Sequence, residues 1–295
     1  MPRNSTTESL CRPQVVTPTD LKQSGDDAPR ANPDDPTWSH RILADGDSWF
    51  SIGAVPSSNL LFELELDKPT LILNLAYPGD TTENMASLSK NPELRKMIHD
   101  ERWGYKWDLI LLSGGGNDLI DRAEDIICKP KTAGSTVPAD YVNPAGLADL
   151  VAEVQLSYRQ IIAVRDEADC INRGKPVVTH TYDYATPRDA PARFLFAGIM
   201  GPWLFPVFEK LGIADGMQIP VSDYLIDQLA EAIIALTKAP NPLPNFHVVE
   251  TRHTLVPAAA DDDGNSNDWL NEIHPNHQGY RKLAAKLSEA IGKIL

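Results

Sequence analysis

The chain is 295 residues long, enough to bury a sizeable core in one large domain or two small ones. Its 41 acidic and 27 basic side chains leave a net charge of −14, a surface that repels phosphate backbones and anionic membranes, so no nucleic-acid partner is expected. The three cysteines, Cys11, Cys128 and Cys170, are too few and too widely spaced for a disulfide framework or a metal-ligand motif.

Residues 1–38 carry six prolines and no hydrophobic period, which predicts a flexible N-terminal arm rather than a domain. No apolar run of the signal-peptide kind follows Met1. The longest apolar stretch, 194–208, is interrupted by Gly198, Gly201, Pro202 and Pro206, whereas a bilayer span needs about 20 apolar residues. The expectation is a cytoplasmic protein with no integral membrane segment, its oligomeric state left open.

From residue 39 to 295 the pattern changes. Five short runs rich in Ile, Leu and Val, at 41–44, 70–76, 108–113, 176–182 and 245–251, read as buried parallel strands because they lack polar alternation. Helix-period segments lie between them. Leu147, Leu150, Val154, Tyr158 and Ile161 share one helix face; Leu225, Leu229 and Ile233 share another, with Ser222 as its N-cap; Tyr280, Leu283, Leu287 and Ile291 mark a terminal helix. Strands alternating with helices imply right-handed crossovers and a three-layer α/β/α sandwich. Two segments fall outside that frame, 121–146 and 183–221, and read as insertions. The second holds Tyr184, Phe194, Phe196, Trp203, Phe205 and Phe208, a set suited either to an acyl-binding wall or to plain core packing.

The chemistry-bearing residues fall at the strand ends, where open α/β sheets collect their ligands. Ser48, in Gly46-Asp47-Ser48-Trp49, follows the first strand and reads either as a helix N-cap or as a nucleophile awaiting a base. Gly79 follows the second, in Tyr77-Pro78-Gly79-Asp80; a glycine lets an amide N–H approach a substrate oxygen. Asn117 follows the third, after Gly114-Gly115-Gly116, and can donate its side-chain amide to a developing oxyanion. Those glycines match neither nucleotide-binding fingerprint. His274 stands in Asn271-Glu272-Ile273-His274-Pro275 at a helix entrance, the preferred base among seven histidines. His180, ending the fourth strand with Tyr182 and Tyr184 after it, reads as structural or cleft-facing. The run Asp261-Asp262-Asp263-Gly264 lacks the end ligands of a calcium loop and reads as solvated.

Taken together, Gly-Asp-Ser, the isolated Gly79, Gly-Gly-Asn-Asp at 115–118 and His274-Pro275 occur in the order of the SGNH/GDSL hydrolases, which the chain resembles over roughly residues 40–295. The resemblance implies a flavodoxin-like fold with a five-stranded parallel sheet. It implies Ser48 as nucleophile, His274 as base, and an oxyanion hole of the Ser48 and Gly79 amides with the Asn117 side chain. It implies a small-molecule ester as substrate and neither metal nor organic cofactor. The family's aspartate three residues before the histidine is here Asn271, so a Ser-His dyad supported by Asn271 is expected, with Asp268 as the carboxylate reserve and Glu272 or the 261–263 run as further candidates. Tyr182, Tyr184, Phe194, Phe196 and Trp203 are the expected substrate-binding residues. An ester hydrolase forming an acyl-enzyme is the leading reading. A thioesterase, a carbohydrate deacetylase, a non-catalytic lipid- or carbohydrate-binding relative, and a flavin- or nucleotide-binding protein stand beside it.

Overall fold

The apolar runs around Ile42 and Ile110 become the two central strands because every side chain along them is buried. The computed structural model describes residues 10–21, 30–51, 58–87, 89–100, 104–194 and 198–295. Its strands are β1 (Gln14–Val16), β2 (His40–Gly46), β3 (Thr70–Asn74), β4 (Leu109–Ser113), β5 (Val177–His180), the hairpin β6 (Ala192–Phe194) and β7 (Gly198–Met200), and β8 (Phe246–Val249). Six of them form one parallel sheet in the order β1-β3-β2-β4-β5-β8.

The helices are α1 (Ser48–Ser51), α2 (Leu60–Glu63), α3 (Thr82–Ala86), α4 (Pro92–His99), α5 (Gly116–Asp121), α6 (Ala123–Ile126), α7 (Pro144–Arg165), α8 (Phe205–Leu211), α9 (Asp215–Ala235) and α10 (His277–Ile294). They fall into two packed groups: α7 lies against α3, α4 and α9, and α10 against α2, which also touches α1. The three-layer α/β/α sandwich follows.

Three expectations are corrected. The arm expected over 1–38 is structured in part, because Gln14–Val16 pairs with β3 as a sixth, edge strand and buries Val16. Three residues carry no readable period; pairing, not local propensity, makes that strand. Second, α9 begins at Asp215, so Ser222 is not its N-cap; the Ser222 hydroxyl donates to the Ala185 carbonyl from inside the helix. Pro220 lies in its second turn, where a proline removes one backbone donor without ending the helix. Third, the two insertions hold regular structure: α6 and a 3₁₀ turn (Pro138–Tyr141) in one, the β6–β7 hairpin and α8 in the other.

The topology sets the site. From β2 the chain crosses to β3 on one side and then to β4 on the other, so the chain direction reverses around β2. The crevice at such a switch point lies beyond the carboxyl ends of the strands. The loops after β2, β3 and β4 carry Ser48, Gly79 and Asn117.

Candidate active site

β2 ends in close contact with β4. A Cβ on Gly46 would lie 2.4 Å from the Ser113 carbonyl oxygen, and the Asp47 N–H donates to that same oxygen at 3.1 Å. Glycine is required there for the approach. Asp47 then starts α1: its Oδ1 accepts the Trp49 N–H at 3.0 Å, and its carbonyl accepts Phe50 and Ser51. Asp47 therefore does the capping, and the Ser48 hydroxyl is released for another partner.

That partner is His274. Its Nε2 lies 2.9 Å from Ser48 Oγ, and both residues are buried, Ser48 at 6% and His274 at 4% exposure. On the other side of the ring, Nδ1 lies 3.0 Å from Asn271 Oδ1. The same oxygen accepts the backbone N–H groups of Ile273 at 3.1 Å and His274 at 2.9 Å. Two N–H donors converging on it identify this atom as the amide oxygen, so Nδ1 carries the ring proton and Nε2 offers its lone pair to the serine. Burial pushes the imidazole pKa down to about 4, and the ring is neutral at pH 7. The edge of Trp203 packs on the ring, with centroids 5.5 Å apart.

Asp268 is elsewhere. Its Oδ2 accepts the Val256 N–H at 2.7 Å and pairs with Lys282 Nζ at 2.5 Å, and it makes no contact with His274. Replacing it should strand a backbone donor and a lysine. Asp268→Ala is expected to cost about 1–3 kcal/mol of stability in urea unfolding while leaving kcat near wild type. Glu272 is also committed, its buried carboxylate accepting the backbone N–H groups of Trp203, Leu204 and Phe205. Burial still raises its pKa to about 7. Residues Asp261, Asp262 and Asp263 are exposed. The carbonyls of Asp262 and Gly264 are taken by buried Arg188, which also donates to the Asn271 carbonyl at 2.8 Å and so ties that loop to the histidine's support.

Gly79 adopts φ +83°, a left-handed conformation that a side chain would strain. Asn117 Nδ2 donates to the Asp80 carbonyl at 2.9 Å, and Asp118 accepts both the N–H and the hydroxyl of Thr82, so the Gly79 loop is pinned to α5. Tyr77 N–H donates to the Gly46 carbonyl at 2.9 Å, pinning the same loop to β2. Asn117 keeps a second amide hydrogen. Among the described residues, the Ser48 and Gly79 amides have no hydrogen-bond partner.

Ser48 and Asn117 line a cleft of about 40 Å³ whose walls include Tyr182, Leu204, Ile226 and Trp269. Of the expected substrate-binding residues, Tyr182 lines this cleft and directs its hydroxyl to Asp47 beneath the serine. Trp203 packs on His274 and does not line the cleft. Tyr184 does not either: its hydroxyl donates to Asp227 at 2.8 Å and its ring packs on His253. Phe196 lies outside the described residues, and of Phe194 only its place at the end of β6 is described. The sequence reading missed Leu204 and Ile226, whose apolar character marks them only as core. Among the described residues His99, Glu167 and Asp169 also gather, but both Glu167 oxygens already accept Arg95, at 2.9 and 2.8 Å.

The sequence pattern of the GDSL-like Lipase/Acylhydrolase family matches residues 46–282, most of the chain and all of the groups just described. The chain belongs to that family. Family membership makes it a hydrolase of ester bonds. A search of curated protein sequences gives no match. Among solved structures, the family member resembles an extracellular lipase from Streptomyces rimosus with 15% identity and a TM-score of 0.46, over 85% of this chain and 100% of that one. An aryl esterase from M. smegmatis matches with 15% identity and a TM-score of 0.46, over 87% and 100%. An acetylxylan esterase from Geobacillus stearothermophilus matches with 13% identity and a TM-score of 0.43, over 86% and 95%. Among the described residues of this GDSL-like chain, no helix is long and apolar enough to cross a membrane.

Proposed function

We propose that the chain is a serine carboxylic-ester hydrolase acting on short acyl esters through an acyl-enzyme on Ser48. The observation that carries this reading is the 2.9 Å contact between His274 Nε2 and Ser48 Oγ, with the ring tautomer set from behind by Asn271. A serine hydroxyl becomes a nucleophile when a base removes its proton during attack, and Nε2 is unprotonated and aligned for that transfer. As the bond to the carbonyl carbon forms, the negative oxygen is held by the Ser48 and Gly79 amides and the second hydrogen of the Asn117 amide. The imidazolium then protonates the departing alcohol. Water enters, gives its proton to Nε2, and releases the acid by the reverse path.

The acyl preference comes from room. The cleft beside Ser48 is small, about 40 Å³. Leu204 walls it, and the backbone of Leu204 is held by Glu272. An acetyl group suits that space; a long chain would have to displace the wall.

The test combines labelling with a substrate panel. A fluorophosphonate should leave its adduct on Ser48, and kcat/KM for p-nitrophenyl esters should be highest for acetate and fall by more than about tenfold at octanoate, as overpacking costs of 1–3 kcal/mol predict. An adduct on another serine would overturn the mechanism. Equal turnover of acetate and octanoate would overturn the acyl preference alone.

A further inference from the structure

Directly beneath the nucleophile lies a buried polar chain that the reaction does not use. His180 Nδ1 lies 2.7 Å from the Thr181 carbonyl, and its Nε2 lies 3.0 Å from Ser113 Oγ. Ser113 Oγ lies 2.8 Å from Asp47 Oδ1, and the Tyr182 hydroxyl is hydrogen-bonded to Asp47 Oδ2. His180 and Ser113 are fully buried, Asp47 is 2% exposed and Tyr182 5%.

Counting protons exposes an imbalance. Each of those four contacts needs one hydrogen between its two heavy atoms. A neutral imidazole, a serine and a tyrosine bring one each, which makes three, and an ionised aspartate brings none. The Thr181 carbonyl can only accept, so the imidazole hydrogen is spent at Nδ1. Ser113 has a single hydrogen and two neighbours asking for it, His180 Nε2 and Asp47 Oδ1. One of those contacts would then set lone pair against lone pair, and burying an unsatisfied polar contact costs about 1–3 kcal/mol.

We infer that the Asp47–Ser113–His180 chain holds a fourth proton, and that this proton keeps the nucleophile's turn and the base's loop in register. The proton satisfies all four contacts either on Asp47, which then donates to Ser113 while Ser113 donates to His180, or on His180, with both donations reversed. Either placement leaves the chain of groups uncharged overall, as its burial demands.

The connection to the reacting groups runs through Trp49. Asp47 Oδ1 accepts the Trp49 backbone N–H, and the indole stacks on His180 at 5.6 Å with 13° between planes. At its far side, indole Nε1 donates to the Ile273 carbonyl at 3.2 Å, one residue before His274. The residues on either side of Trp49 are thus the serine's turn and the histidine's loop. Asp47, Ser113 and His180 are positioning residues that act through it.

The titratable neighbours agree on where the proton sits. Burial raises the Asp47 pKa to about 6 against the opposing pull of its Tyr182, Ser113 and Trp49 hydrogen bonds, with Asp118 adding repulsion from α5. Burial lowers His180 to about 4. Tyr158 from α7, Tyr182 and Tyr280 from α10 face the group as neutral phenols, their pKa values raised by burial and by the Asp47 charge. His274 approaches from the Ser48 side, neutral. Asp47 is therefore the carrier, and the proton is lost as pH rises through about 6 and beyond.

The experiment uses the full chain. Infrared difference spectra between pH 5 and 8.5 should show a carboxylic-acid carbonyl band that vanishes at the higher pH and is absent in Asp47→Asn, with the His180 ring neutral by ¹⁵N NMR. In wild type, kcat for p-nitrophenyl acetate should fall about tenfold from pH 6 to pH 8.5, the order of loss expected for a slightly misplaced catalytic pair. In Asp47→Asn the side chain no longer titrates, so this ratio should flatten. Ser113→Ala cuts the chain and should flatten it too, at lower activity, which keeps the test available if the first variant does not fold. An ionised Asp47 beside a neutral His180 at pH 5 would overturn the inference, and so would variants that keep the wild-type ratio. The spectroscopic arm stands apart from the esterase reading, since it needs no turnover.

Discussion

Alanine at Ser48 or at His274 is expected to lower kcat for p-nitrophenyl acetate by about four to six orders of magnitude, and the double variant hardly further. In the proposed mechanism the two side chains perform one step. Without His274 the hydroxyl keeps its proton and is a weak nucleophile; without Ser48 the imidazole has nothing to activate but water. Non-additivity is the discriminating feature, because two merely structural residues 2.9 Å apart would lose activity only as far as each loosened the fold. Thermal melts of the three variants supply the control. Both side chains are buried, so a fall in Tm is expected to accompany substitution, but the remaining folded enzyme should still bind the ester. A Ser48→Ala protein that retained a tenth of wild-type kcat would remove Ser48 from the chemistry.

The parallel sheet could be read from residues because its strands are continuous runs of buried aliphatic side chains, Leu109 to Leu112 above all. The arrangement of Ser48, Gly79 and Asn117 followed from their places after consecutive strands, since a parallel sheet brings those loop ends to one edge. What stayed out of reach depended on single side-chain directions. Asn271 and Asp268 are three and six residues before His274, and spacing alone allowed either to serve the ring. The loop turns so that Asn271 Oδ1 caps the Ile273 and His274 amides, which sends Asp268 toward Val256 and Lys282. Tyr182 and Tyr184 looked equivalent for the same reason. The proton chain through Ser113 and His180 joins three separate strand ends, and none of its members carries a local signal beyond an ordinary polar residue.

Asn271 governs the second large expectation. Asn271→Leu removes the acceptor of His274 Nδ1 and of two backbone amides, and should reduce kcat by about two to three orders of magnitude through loss of the ring's tautomer and orientation. Asn271→Asp keeps the geometry and adds a charge. A carboxylate beside a ring N–H favours the protonated ring by about one to three pKa units, so the imidazolium formed during attack is stabilised and the limiting kcat should rise. The same charge carries a cost at low pH. A general base works only while unprotonated, and in the wild type burial holds His274 near 4, so kcat/KM should stay level between about pH 6 and pH 5 and fall tenfold per unit below pH 4. In Asn271→Asp that acid limb should move up by the size of the pKa increase. On the proposed mechanism, a neutral amide in place of the family's carboxylate gives up some stabilisation of the imidazolium for activity in acid. Full pH profiles of both enzymes decide it: an acid limb at the same pH in the two proteins would mean that Asn271 does not set the protonation of the base.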